Sequence, residues 1–204
     1  KEKVLKENKY TNEDLAKLKT SYLEYINTYG KTAANAEAIN DLAHLEANYL
    51  GNLTEGIELL EGLLKQPGLD KKIKNKTKLS LGDMYILAED IWEAVLIYEQ
   101  VNIDEKDSPI GEDARYRSAK LSYYNGDFEW AQAQLTVLKG ATTELIANDA
   151  LKLSIFIIDN LGLDTTTEAV SMYADAELLL IQNKDNEAIS TLNSILKKFP
   201  GHAL

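Results

Sequence analysis

The stretch LGDMYILAEDIWEAVLIYEQV, from Leu81 to Val101, constrains this chain more than any other. Leu81, Gly82 and Tyr85 recur at helical spacing before Glu89-Asp90, and Ile91, Ala94, Tyr98 and Val101 do so after it. The period is that of two amphipathic helices, and so short a break between them folds one back on the other. Gly82 and Ala94 set the closeness of that contact. A small residue in each helix lets the backbones approach, and larger neighbours interlock around them.

The same arrangement returns along the chain. Thr11 with Asp14 predicts a helix cap, followed by Leu15, Leu18, Tyr22, Tyr25 and Ile26 on one face and an end near Gly30. A helix over 32–50 carries Ala38, Ile39, Leu42, Leu45 and Tyr49, and Gly51 closes it in a left-handed conformation. Asn52 with Glu55 is expected to cap the next helix, which shows Ile57, Leu60, Leu63 and Leu64 before Pro67-Gly68; Gly56 takes the slot of Ala94. The lysines at 71, 72, 74, 76 and 78 read as a solvated helix start or loop. Ser108-Pro109 opens a helix that runs to Asn125. Gly126-Asp127 then turns the chain into Phe128, Ala131, Leu135 and Leu138. Gly51, Glu89, Gly126 and Asn183 mark the turns, at separations of 38, 37 and 57 residues.

The last interval holds an extra element. A long helix over 143–161 includes the run SIFII, apolar almost all round, which predicts burial on more than one side. Thr165 with Glu168 reads as a capping box opening a helix over 166–183. Ala188, Leu192, Ile195 and Leu196 then lead to Phe199-Pro200.

The order Leu-Gly, Tyr, tight turn, Ala, aromatic, aliphatic resembles the tetratricopeptide repeat. The resemblance covers roughly residues 32–200 and is clearest over Leu81–Val101, Ala119–Leu138 and Ala174–Pro200. It implies an all-α fold: a right-handed α-solenoid of about ten helices in stacked antiparallel pairs, forming one domain over 1–204. The best repeats are 72–103, 109–139 and 166–200, with partial or degenerate units at 11–30, 32–67 and 143–161. A start without methionine and a stop just after a Phe-Pro turn lead to the expectation that the chain is a fragment of a longer protein.

Several chemistries lack their residues. A net charge of −11 opposes nucleic acid as the main partner. No cysteine is present, and the two histidines, His44 and His202, lie far apart without metal-ligand spacing. No apolar run has the length of a transmembrane helix. Phosphate-cradling and nucleophile-elbow motifs are missing, so no catalytic residue, cofactor or metal is expected. Asn52-Leu53-Thr54 and Asn75-Lys76-Thr77 match the glycosylation sequon, a pattern short enough to arise by chance.

The resemblance implies an interaction scaffold that binds a peptide or partner protein in a groove lined by the first helix of each pair. In this register the groove residues are Asp41, Leu45, Lys76, Asp83, Tyr116, Lys120, Tyr123, Tyr173 and Glu177. The opposing reading is that Tyr116, Tyr123 and Tyr173 pack between repeats. Two other functions stand beside the scaffold: a small-ligand or lipid binder using the apolar 151–158 region, and a sensor module of a larger regulatory protein. An apolar terminal face bearing Leu192, Ile195, Leu196 and Phe199 predicts weak self-association. The compartment stays open between the cytoplasm and a bacterial envelope.

Overall fold

The computed structural model describes residues 10–106, 108–161 and 167–201. Among these the fold is all-α, with ten helices and no strand. The helices are α1 (Asn12–Tyr29), α2 (Ala36–Tyr49), α3 (Leu53–Leu64), α4 (Lys71–Leu87), α5 (Ile91–Asp104), α6 (Pro109–Tyr124), α7 (Phe128–Leu138), α8 (Glu144–Leu161), α9 (Glu168–Ile181) and α10 (Asp185–Lys198). A short 3₁₀ turn, Ala33–Asn35, leads into α2. The chain divides into two compact units between Ala88 and Glu89. Helix-pair packing inside them is that expected of a helical solenoid.

One turn geometry is used four times. Gly51 (φ 72°), Glu89 (64°), Gly126 (75°) and Asn183 (59°) all adopt the left-handed conformation. Each is followed by a residue with φ between −99° and −85° and ψ between 55° and 68°: Asn52, Asp90, Asp127 and Lys184. At the third turn the amides of Gly126 and Asp127 donate to the carbonyls of Tyr123 and Ser122; at the fourth, those of Asn183 and Lys184 donate to Leu180 and Leu179. These paired bonds satisfy carbonyls that a helix end leaves without partners. The turn positions read from sequence are thus set by backbone geometry.

In the first unit α2 packs on α1 and α3, and α3 on α4. Gly56 marks the close crossing. A Cβ there would lie 2.9 Å from the Ala43 carbonyl oxygen and 3.1 Å from Ala47 Cβ. Its counterparts Ala94, Ala131 and Ala188 are all fully buried in the second unit. Thr11 and Asp14 form the expected capping box. Asn52, by contrast, does not cap α3; its amide donates to Glu46 Oε2 at 2.8 Å. That carboxylate is fully buried and also meets Lys19 Nζ at 2.6 Å, so a buried charge claims the side chain that sequence assigns to the cap. The lysine run starts α4 with its charges mostly in water, but Asn75 is buried, which leaves no room for a glycan on it.

In the second unit α6 lies between α5 and α7, and α7 packs on α8. Ser108 caps α6 with Pro109 in its first turn, as expected. Gly111 is obligatory, because a Cβ there would sit 1.9 Å from the Glu105 carbonyl oxygen. Gln132 and Ser154 tie α7 to α8 through two reciprocal bonds of 2.7 Å. The SIFII run is not buried all round. Ser154 and Ile157 are buried, whereas Ile155 and Ile158 are 47% and 55% exposed, since neighbours cover α8 on one side. Helix α9 returns to α6: Ser171 lies against Gly126 near its start, and Lys184, just past its end, pairs with Glu89 at 2.6 Å. In α10, Ile195 is buried while Leu196 is 68% exposed. Helix α9 begins at Glu168 behind Thr167, whose side chain makes no cap bond; Thr165 of the expected box, Gly162 and His202 lie outside the described residues.

Candidate functional site

Where α9 returns to α6, the second unit opens a cleft of about 400 Å³. Tyr116, Lys120, Tyr123 and Tyr124 come from α6, Asp149, Lys152, Leu153 and Phe156 from α8, and Tyr173 and Glu177 from α9. Helical spacing explains the set. Positions 116, 120, 123 and 124 share one face of α6, and 149, 152, 153 and 156 share one face of α8.

Aromatic rings form the floor. The Tyr123 centroid is 5.4 Å from that of Tyr124 and 6.2 Å from that of Phe156, and Phe156 is 5.3 Å from Tyr173. The Tyr123 hydroxyl donates to Glu177 Oε2 at 2.8 Å. This contact joins α6 to α9 across 54 residues of sequence. Glu177 forms no ion pair with a lysine or arginine among the described residues. Asp149 has Lys152 at 3.6 Å, and Lys120 Nζ lies 5.5 Å from the Tyr124 ring centroid.

Burial raises the pKa of all four tyrosines, and nearby carboxylates add to it. Tyr116 is pushed up to about 12, first by burial, then by Asp149 and Glu177. Tyr123, Tyr124 and Tyr173 are also driven up, by burial first and Glu177 next. They remain neutral phenols near neutral pH, offering hydroxyl donors and electron-rich faces.

Of the nine residues assigned to a groove, the structure brings five together here: Tyr116, Lys120, Tyr123, Tyr173 and Glu177. Tyr123 is only 1% exposed, so it supports the cleft from within the core, while Tyr116 and Tyr173 are half-buried at its wall. Asp41 and Lys76 line a separate polar cleft of the first unit with Glu37, Asn40, His44 and Ser80, where His44 Nε2 is 3.0 Å from Ser80 Oγ. Leu45 is 1% exposed and belongs to that unit's core. Asp83, half-buried on α4, lines neither cleft. The groove register left out α8: Lys152, Leu153 and Phe156 fall in the 151–158 region given to the small-ligand reading, and Asp149 was assigned to neither. The signal for α8 was Phe156 within the apolar run.

The cleft contains aromatic faces, two lysines and two carboxylates, of which Glu177 accepts from a phenol. Such a surface offers stacking faces, hydrogen-bonding groups and charge of both signs. Among the described residues no group of three or more acidic or histidine side chains is placed to hold a metal ion. No helix among them is long and apolar enough to cross a membrane. Comparison with protein-family models, with curated proteins and with solved structures returned no match to this chain.

Proposed function

We propose that this protein is an interaction scaffold, tetratricopeptide-like in its helix pairs, that binds a peptide segment of a partner protein in the aromatic cleft between α6, α8 and α9. The observation carrying this reading is the convergence of Tyr116, Tyr123, Tyr124, Phe156 and Tyr173 on one open cleft beside Glu177. Tyrosines at the edge of such a site bury a large rigid area at small entropic cost while their hydroxyls stay hydrogen-bonded. The tetratricopeptide assignment is supported by the four like turns and by a small buried residue at the same place after each: Gly56, Ala94, Ala131 and Ala188.

The experiment is selection from a random peptide display library on the immobilised chain, with Tyr116→Ala and Tyr173→Ala variants as competitors. Selected peptides should bind both variants at least about fivefold more weakly than the parent chain, as expected for loss of an aromatic contact. Peptides that bind all three proteins equally would place the binding surface elsewhere and defeat the proposal.

A further inference from the structure

Glu177 stands beside the cleft of the proposed function without yet having a chemical role in it. Its carboxylate is half-buried at the wall of an aromatic cleft that also holds Lys120 and Lys152, takes one hydroxyl donor from Tyr123 at 2.8 Å, and forms no ion pair with a lysine or arginine among the described residues. The other carboxylate lining the cleft, Asp149, already has Lys152 at 3.6 Å. A carboxylate desolvated by an incoming apolar group would be penalised, and an acidic group beside it would be repelled. A cation is favoured by the carboxylate and by the negative faces of the surrounding rings together.

We propose that the cleft is a receptor for an arginine side chain of the bound segment, its guanidinium stacked on the Tyr116 or Tyr173 ring and ion-paired with Glu177. This rests on the proposed function and specifies the partner's chemistry. Helix α6, which carries Tyr116, already supplies contacts of this kind: Arg117 Cζ is 5.9 Å from the Tyr98 ring centroid, and Lys120 Nζ is 5.5 Å from that of Tyr124. Arginine suits the site better than lysine, because its planar, weakly hydrated guanidinium stacks on a ring while its fork reaches a carboxylate. The chain's net charge of −11 also favours encounter with a basic segment.

The test titrates the full chain with acetylated Ala-Ala-Arg-Ala-Ala amide and with its citrulline counterpart, which keeps the shape and loses the charge, following backbone amide shifts by NMR. The arginine peptide is expected to shift amides of α6, α8 and α9 and to bind at least about fivefold tighter than the citrulline peptide. Glu177→Gln keeps an acceptor for Tyr123 and should erase that preference, while Glu129→Gln, an exposed control of equal charge, should retain it. If Glu177→Gln fails to fold, Tyr173→Leu, which removes a ring and spares the carboxylate, should reduce arginine binding more than citrulline binding. Equal binding of the two peptides at the cleft overturns the arginine assignment and leaves peptide binding standing. An arginine peptide that shifts no cleft amide overturns it as well, and the display selection decides separately whether the cleft binds peptides at all.

Discussion

Two glutamates, one in each unit, show opposite ways of keeping a carboxylate away from water. Glu46 in α2 is fully buried, with Lys19 Nζ at 2.6 Å and the Asn52 amide at 2.8 Å. Its partners come from the same unit, so it ties α1 and the α3 turn to α2 and has no capacity left for a guest. Glu177 in α9 is half-buried and has a neutral phenol as its donor. A phenol satisfies a lone pair without neutralising the charge. The first arrangement closes a core; the second leaves a charge on the wall of a cleft. The lesson is that the donor's charge, more than the acceptor's burial, separates a structural carboxylate from one that can recognise something.

The largest expected effect is on the open arrangement's support. Tyr123→Ala should cost about 3–5 kcal/mol, the range for removing a buried aromatic, because Tyr123 is 1% exposed and joins α6 to α9. A urea melt with an unchanged midpoint would show that the junction carries no stability. Next, Lys19→Met strands Glu46. Removing one partner of a buried pair costs about 3–5 kcal/mol, and the 28% exposure of Lys19 reduces that to about 2–3 here. A smaller loss would mean that Asn52 alone can hold the charge.

A pH series compares the two units without mutating a carboxylate. A tyrosine raised on folding contributes stability that is complete below the unfolded value of 10.0 and declines as pH rises toward the folded one, about 12 for Tyr116. Urea midpoints should therefore fall between pH 10 and 12. Lys19, also raised, declines in the same direction, so the contrast lies in Tyr116→Phe, whose midpoint should fall less steeply than that of the parent chain. Identical slopes would remove Tyr116 from the electrostatics of the cleft.

Gly56→Ala tests packing in the first unit. Overpacking against the Ala43 carbonyl costs roughly 1–3 kcal/mol, and the gain in helix propensity returns about 1, leaving a net loss near 1. A stabilised variant would show that the α2–α3 crossing relaxes freely. Smallest of all, Glu177→Gln should change the unfolding free energy by no more than about 0.5 kcal/mol, since the acceptor persists and the group is partly solvated. A loss as large as that of Lys19→Met would make the two glutamates equivalent and abolish the contrast drawn between them.

Much of the fold was legible because its signals are local. The left-handed turns, the Thr11–Asp14 box and the Ser108-Pro109 start are written within a few residues. What stayed hidden depends on distant partners. Glu46 looks like any solvated helix residue until Lys19 and Asn52 are beside it. Ile155 and Ile158 show that an apolar run does not reveal which of its sides gains a neighbour. For the cleft, register alone found Tyr116, Lys120 and Tyr123 on α6 and both α9 positions, and missed Tyr124. Joining Asp149, Lys152, Leu153 and Phe156 to them required knowing that α9 returns to α6 beside α8, an arrangement held by bonds such as Tyr123–Glu177 across 54 positions.

The four like turns carry a consequence for how such a chain can change length. Glu89 and Asn183 take the left-handed conformation without being glycine, at a local cost of about 1 kcal/mol each, so the turn does not depend on one residue type. The third and fourth turns keep the same geometry although 57 positions separate them instead of 37 or 38. Extra chain spliced between two turns leaves each turn's own bonds intact, and the entropy of a longer connection grows only logarithmically. A helix such as α8 can thus be accommodated without redesigning what precedes or follows it. The wall it adds to the cleft shows that a modular chain can hold an extra helix, and the surface that comes with it, while the joints on either side keep their geometry.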